Sequence, residues 1–355
     1  MAVERFTAEN FRCLKSIELR ADAAYNVIYG ENASGKTSLL EALAYLGRGK
    51  SFRGAATQSL VRHGEREFVL FGEVTEGRER HRIGVRNSSD GLEIRVDGSG
   101  EGGSAALVAA LPLQVIDPEV HSLVSGGPEM RRRFLDWIAF HVEPQYLDAW
   151  RRFRRTLKQR NAALRSGARQ SAIQSWDAEF VAQSIKVDEA RRLALEVSIE
   201  ALKERSHAML GHDIGFEYAP GWPSEKPLEA VLAEGLERDR KQGATQAGPH
   251  RADLKLSYDE RQAKRLVSRG QQKLLACSMI LAAAETAQTA LERPLVLLLD
   301  DPAAELDENS LARLMEQVVG LGAQVIATSL DKSALRFPSE PAVFHVEHGE
   351  LTRVS

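Results

Sequence analysis

The octapeptide GENASGKT, Gly30–Thr37, follows the short apolar run YNVIYG (Tyr25–Gly30) and opens the helix-forming run GKTSLLEALAYL. It fits G-x-x-x-x-G-K-[ST] at Gly30, Gly35, Lys36 and Thr37, in the strand–loop–helix context that gives this pattern its physical sense. Successive backbone N–H groups in such a loop wrap an anion, and the helix N-terminus adds a partial positive charge. Gly30, Glu31, Asn32, Ala33, Ser34, Gly35, Lys36 and Thr37 are therefore read as a phosphate loop. The Lys36 ammonium is expected to reach the β- and γ-phosphates of a nucleotide, and the Thr37 hydroxyl to ligate Mg²⁺. A chance glycine turn would leave the strand before it and the helix after it unexplained.

With 355 residues the chain has room for two or three domains, or for one domain with a large insertion. Its 43% hydrophobic and 27% charged content is that of a soluble globular protein. Two cysteines, Cys13 and Cys277, give no disulfide framework and point to a reducing, cytoplasmic home. MAVERFTAEN lacks the apolar core of a signal peptide. The longest largely apolar run, Leu274–Ala284, falls short of the roughly 20 residues a bilayer requires, so no membrane contact is expected.

A net charge of −3 makes no global case for nucleic acid, but residues 131–170 carry eleven Arg and Lys against Asp136, Glu143 and Asp148. Two readings stand: a solvated face, or a surface that contacts phosphate backbone. On the second reading the candidates are Arg131, Arg132, Arg151 and Arg155, joined by the basic loop of Arg48, Lys50 and Arg53. No zinc-ligand spacing, helix-turn-helix pattern or aromatic groove is present, so contacts to backbone and shape are expected rather than base reading.

The two ends of the chain read differently from its middle. EFVLFGEV, RHRIGVR and LEIRVDG alternate in strand fashion, and GSGEGGS (Gly98–Ser104) is a loop. PLVLLLDD and AQVIATSL (Ala323–Leu330) are continuous apolar strands, and the amphipathic helix SLARLMEQVVGLG lies between them. Strand–helix–strand alternation implies a parallel α/β sheet. In the middle, Leu147, Trp150, Phe153 and Leu157 recur at helical spacing, and Ile173, Trp176, Phe180 and Val181 start a second stripe. With RSGARQS as the turn, an antiparallel helix pair is expected over about 144–209. The expected architecture is one sheet completed by both chain ends, 1–120 and 251–355, with a mainly helical domain, 121–250, inserted.

LLLDD ends a buried strand in two carboxylates, which needs a reason because an unpaired buried charge is costly. Asp300 at the tip can hold Mg²⁺ through water, and Asp301 can polarise an attacking water; a helix cap or an ion pair is the alternative for each. SRGQQKLL poses a further question. Ser268 sits at a cap-like position before a long helix, so the helix start suits an anion. It lies 232 residues after Lys36.

A phosphate loop, an S-x-G-Q helix start, an apolar strand ending in paired acids, and AELD, in that order, resemble the ABC-type ATPases. The resemblance implies that Ser268, Gly270 and Gln271 form the signature motif and that Asp307 is the D-loop aspartate. It also implies that two heads dimerise so that the signature helix of one holds the γ-phosphate of ATP bound to the other. Lys36, Asp301 and Ser268 would then be the catalytic set. NFRCLKSIEL, GKSFRG, PEVHSLVSGGPEMRRRFLDW, GPHRADL, SRGQQKLL and LLLDD together resemble the RecF family of the SMC-like branch, over essentially the whole chain. That implies an ABC-type ATPase head and an ATP-dependent homodimer, nucleoid-associated, on DNA at gaps and single-strand/double-strand junctions. RecR and RecO would be partners in loading RecA onto strands coated by single-strand-binding protein.

Departures from the pattern shape further expectations. Arg269 replaces a signature glycine and either adds charge toward phosphate or faces solvent. Asp301 stands where most of the superfamily has Glu, so slow, switch-like hydrolysis is expected. Thr328 or Ser329 occupies the switch-histidine position, and the Q-loop falls somewhere in Leu113–Glu119. His250 and Arg251 form either a structural turn or a contact to DNA or a second head; Arg12 is either a surface arginine or a contact to nucleotide phosphate. The alternative of a transporter cassette meets two obstacles, the long gap between phosphate loop and signature and the Arg-rich helical insert. The middle is too short for the coiled coil of a chromosome-organising SMC protein.

Overall fold

Two hydrophobic patterns in the sequence become two different sheets. In the computed structural model, which describes residues 1–259, 261–263, 268–304 and 306–354, the chain divides into two compact units, Met1–Val120 with Glu292–Ser355, and His121–Leu291. The first unit opens with β1 (Ala2–Phe11), β2 (Leu14–Arg20), β3 (Tyr25–Tyr29), α1 (Lys36–Arg48), β4 (Phe68–Glu76), β5 (Glu79–Ser88), β6 (Gly91–Val96), α2 (Ser104–Ala110) and β7 (Leu113–Ile116). The second contains α3 (Ser122–Ser125), α4 (Pro128–Val142), α5 (Tyr146–Arg165), α6 (Gln170–Gln174), α7 (Asp177–Leu210), β8 (Gly215–Ala219), α8 (Leu228–Gln242), β9 (Asp253–Tyr258), β10 (Arg261–Gln262) and α9 (Arg269–Leu291). The chain then returns to the first unit through β11 (Val296–Leu299), α10 (Glu308–Gly320), β12 (Gln324–Ser329), β13 (Ala342–Glu347) and β14 (Glu350–Arg353).

The alternating strands of the N-terminal third do not join the parallel sheet. They form an antiparallel sheet of their own, in the order β2-β1-β4-β5-β6, because alternation leaves one face for the core and one for water. The continuous apolar runs form the other sheet, β14-β13-β3-β12-β11-β7, parallel except for edge strand β14. Here β11 and β12 are buried at every position. β3, from the first thirty residues, lies between β12 and β13, so both chain ends complete this sheet. α1 shares a core with both sheets: Phe11, Tyr45 and Phe68 meet edge-to-face at 5.1–6.2 Å, in a cluster that also takes in Leu298, Ile326 and Phe344.

In the second unit α5 and α7 run antiparallel, since Phe153 packs on Phe180 with ring centroids 5.7 Å apart and Arg160 reaches back to Asp177. α9 is longer than its apolar run: at 23 residues it is long and apolar enough to cross a membrane, yet most of it is buried as the core helix of this unit, against α4 and α7. β9 pairs with β8, so residues 251–291 group with the helical unit rather than with the C-terminal strands.

Arg160, fully buried, fixes the α5–α7–α8 junction. Its Nε donates to Asp177 at 2.8 Å, and one terminal nitrogen donates to Asp239 and to Thr245 Oγ1, each at 2.8 Å. Removing one member of a buried charge group strands the others. Arg160→Leu is therefore expected to cost about 3–5 kcal/mol, read as a drop in the thermal midpoint by circular dichroism. Arg152→Ala, which breaks only an exposed pair with Asp148, is expected to cost under about 1 kcal/mol. Equal effects would show that Arg160 holds nothing together.

Candidate nucleotide site

The loop that leaves β3 is shaped by two glycines. At Gly30 a Cβ would meet the Val346 carbonyl oxygen of β13 at 2.3 Å. Gly35, the residue before α1, has φ of 117°, and a side chain there would press on Leu14 and Cys13. The loop is braced from the C-terminal hairpin, where Gly349 N donates to Ser34 O at 2.9 Å. The Ser34 hydroxyl is buried in the loop and has no hydrogen-bond partner among the described residues. Lys36 is buried, and its ammonium donates to the carbonyls of Gly30 (2.6 Å) and Glu31 (2.8 Å). Burial lowers its pKa, while Asp301 and then Asp300 pull it back up. Glu31, Asn32 and Ala33 are exposed.

Asp300 at the tip of β11 is buried and accepts two hydroxyls, Thr328 Oγ1 at 2.9 Å and Thr37 Oγ1 at 3.0 Å. Burial pushes its pKa up; the two hydroxyls, Arg53 and Lys36 oppose the rise. Asp301 turns into the left-handed region with φ of 46°, which Asp tolerates better than most residues. Its N–H donates to Thr328 Oγ1 at 2.9 Å. Thr328 thus touches both acids, whereas the Ser329 hydroxyl bonds to Asp331 O at 2.7 Å.

Among the described residues no three His, Cys, Asp or Glu side chains gather as a metal cage. The donors present nevertheless fit Mg²⁺, which keeps waters and takes one or two carboxylates plus substrate phosphates. Thr37 Oγ1 and Asp300 Oδ1, two hard oxygens already 3.0 Å apart, are those that would hold it.

Strand pairing adds residues that sequence reasoning left unassigned. β7 lies beside β11, and Asp300 N donates to Ile116 O at 2.8 Å. Asp117, the next residue, therefore follows the tip of the neighbouring strand. Its carboxyl is pushed up to about 6, chiefly by burial and further by Asp300; Arg48 and a backbone bond to Glu119 act against this. The Arg48 guanidinium points inward, donating to Leu113 O and Gln114 Oε1, and burial lowers it to about 10. Gln114, the one glutamine of the Leu113–Glu119 segment, is thereby engaged. Arg12 lies bidentate on the fully buried Glu41, at 2.9 and 3.0 Å, and Ser51 donates to the same carboxylate at 2.5 Å. Ser51 Oγ in turn accepts the N–H of Arg53, anchoring the basic loop whose arginine acts on Asp300.

In the second unit, Ser268 and Gln271 cap α9 reciprocally: Ser268 N donates to Gln271 Oε1 at 2.9 Å and Gln271 N to Ser268 Oγ at 3.3 Å. This is a capping box, and Ser268, Arg269, Gly270 and Gln271 are all exposed. Asp307 caps α10 in the first unit, accepting from Ser310 N at 3.0 Å and Ser310 Oγ at 2.6 Å. Val267 and Glu305, from the signature and AELD stretches, lie outside the described residues.

His250 bonds Thr245 O at 2.8 Å, and burial lowers its pKa to about 4. It is therefore neutral at pH 7 and belongs to a structural turn. Arg131 is buried on Asp253 and on the carbonyl of Gly126, and Arg132 donates to Ala252 O. Arg151 and Arg155 are exposed on α5, as are Lys50 and Arg53 on their loop.

A phosphate loop beside a buried strand that ends in paired acids, on a sheet completed by both chain ends, defines an ABC-type ATPase head. The sequence matches the family described as RecF/RecN/SMC N terminal domain over residues 2–351. It is 38% identical over 357 residues to the DNA replication and repair protein RecF of Shewanella baltica (strain OS155), covering 99% of both chains. Its identity to that of Azotobacter vinelandii is 39% over 364 residues, again covering 99% of both. Among solved structures, the recombination mediator protein RecF-ATP in the RecFOR pathway superposes with a TM-score of 0.89 at 25% identity, over 100% of this chain and 98% of that one. An SMC head bound to the C-terminal winged-helix domain of ScpA shares the fold, with a TM-score of 0.59 at 13% identity over 100% and 97%. The chain belongs to the RecF family.

The raised acid gives a prediction with a definite sign. In the fold, Asp117 stays protonated up to about pH 6, whereas an unfolded Asp ionises near 3.9. Stability is therefore lost as pH climbs through that window, and the loss persists above it. Asp117→Asn is expected to raise the melting temperature at pH 7.5, by the equivalent of at most about 3 kcal/mol, and by less as pH falls to 5. A gain that does not depend on pH would show that Asp117 is not held protonated.

Proposed function

We propose that the protein is an ATP-dependent DNA-binding switch of recombinational repair. ATP drives it into a homodimer that clamps DNA at gaps or single-strand/double-strand junctions, and with RecO and RecR it helps load RecA; slow hydrolysis resets it. The observation that carries the reading is the bonding of Asp300 to the hydroxyls of Thr37 and Thr328, with the Asp301 N–H on Thr328 as well, beside the phosphate loop that holds Lys36, in a chain 38% identical to RecF proteins of DNA replication and repair. A similar chain solved as RecF-ATP supports ATP as the nucleotide.

The chemistry follows from the side chains. Lys36 and the loop N–H groups bind and orient the β- and γ-phosphates. Thr37 and Asp300 would hold Mg²⁺, which when bound neutralises charge on the phosphate oxygens. Asp301 orients the attacking water and accepts its proton. Its carboxylate is one methylene shorter than Glu, and the hydroxyl of Thr328 stands in the switch-histidine position; both features favour slow turnover. Ser268, Gly270 and Gln271 at the exposed start of α9 close over the γ-phosphate on a second copy, with Asp307 beside the shared site. The DNA contacts belong to Lys50, Arg53, Arg151 and Arg155. Arg48, Arg131 and Arg132 leave the candidate set because their guanidinium groups bond inward.

Sedimentation with ATP, with ADP and without nucleotide tests the shared site. The wild type should dimerise with ATP alone, and Ser268→Arg should stay monomeric while still binding ATP. Dimerisation of both, or of neither, removes the shared-phosphate reading. In steady-state assays kcat is expected well below the ~10 s⁻¹ typical of enzymes. Asp301→Asn should lower it at least about a hundredfold with ATP affinity retained; an unchanged kcat would take Asp301 out of the mechanism.

A further inference from the structure

Four exposed cations of α5 stand without an ion-pair partner among the described residues. Arg154, Arg155, Lys158 and Arg165 are exposed, and with Leu157 and Asn161 they line an open groove of ≈ 530 Å³. Residues 154, 158, 161 and 165 recur at i, i+4, i+7 and i+11, which sets them on one helix face. None of the four cations has a carboxylate within ion-pair distance among the described residues. Elsewhere in this stretch Arg152 is paired with Asp148 and Arg133 with Glu129. The nearby acids Asp177 and Asp239 are drawn inward by the buried Arg160. Asn161 is held by Thr245, whose N–H and hydroxyl both donate to its Oδ1 at 2.8 Å, and the Arg154 guanidinium lies over the Trp150 ring at 5.4 Å.

This groove suits an extended polyanion rather than a small phosphate ligand. Its lining residues all lie within one helix, whose backbone N–H groups there are committed to helix bonds. From 154 to 165 the helix advances about 16 Å. One DNA strand carries a phosphate every ~3.4 Å of duplex axis, so the row faces roughly five phosphates of one strand. A DNA backbone is charged at every step of that span, so it meets Arg154 and Arg155 at one end, Lys158 between and Arg165 at the other wherever they fall.

Every groove residue, with its supports Trp150, Asp177, Asp239 and Thr245, lies in the unit that lacks the phosphate loop. We propose that this face of α5 seats the DNA sugar–phosphate backbone in each protomer with or without nucleotide, and that ATP-driven dimerisation turns two weak seats into one avid site. The proposal rests on the homodimer reading above. Joining two seats raises overall affinity well beyond that of either with no new contact, so ATP gates DNA binding without reshaping the groove.

The test measures anisotropy of a fluorescein-labelled duplex across a salt titration, with and without ATP, for wild type, Arg154→Glu/Lys158→Glu and Arg154→Gln/Lys158→Gln. The Glu pair is expected to weaken binding about tenfold or more in both conditions and to reduce the salt slope by about two. The Gln pair should fall between the two, and both pairs should retain ATP-driven dimerisation and DNA-free ATP turnover. Wild-type affinity should rise with ATP far more than that of the Glu pair. If wild type binds duplex and both pairs bind equally well, the seat is not on α5, although the clamp reading survives. If wild type with ATP binds no duplex, the clamp reading itself falls. If polyglutamate displaces the duplex from wild type at equal charge concentration, the groove is an acidic-peptide site and the proposal is overturned.

Discussion

The bond from Thr37 Oγ1 to Asp300 Oδ1 joins residues 263 positions apart, and the first unit is arranged so that it can form. It requires β3 to enter the parallel sheet among strands from the other end of the chain. It also requires the phosphate loop to pass close enough to β13 that only glycine fits at Gly30. A carboxylate buried at a strand tip is costly without donors, and here two threonine hydroxyls supply them. The balance is still incomplete, since Asp300 and Asp117 are both raised by burial and Lys36 is lowered by it. A triphosphate adds further negative charge, so a site of this composition favours the nucleotide together with a divalent cation.

Arginine shows why a charge count does not locate a surface. Of the eleven cations in 131–170, Arg131 and Arg160 are buried on carboxylates, Arg132 donates to a carbonyl, and Arg133 and Arg152 are paired along their own helices. The inward arginines carry a second consequence: by drawing Asp177 and Asp239 into the interior, Arg160 removes acids that would otherwise offset the outer face of α5. Core polarity and surface charge are coupled here, and neither is visible from composition.

What was legible in the sequence was local. The phosphate loop, the LLLDD strand, the α5–α7 pair and the cap at Ser268 follow from spacing within a few residues. The same locality explains what was missed. Asp117 matters because β7 pairs with β11, and Glu41 because Arg12 and Ser51 converge on it from segments on either side; of Thr328 and Ser329, β12 sets Thr328 on Asp300 and on the Asp301 N–H. The N-terminal strands alternate in the sequence, and alternation already carries the message that they build a separate sheet. Residues 251–291 bear a head motif at Ser268–Gln271, yet their packing follows the apolar surface of α9 against α4 and α7. Motif membership and packing membership are different properties of the same residues.

Three of the groups assigned to nucleotide already have internal partners. Lys36 is bonded to the carbonyls of its own loop, Thr37 to Asp300, and Ser268 to the amide of Gln271. A ligand that takes these groups must displace bonds already made, so the net gain at each is a difference between two similar terms. Binding through these groups therefore exchanges protein contacts for ligand contacts rather than adding to them.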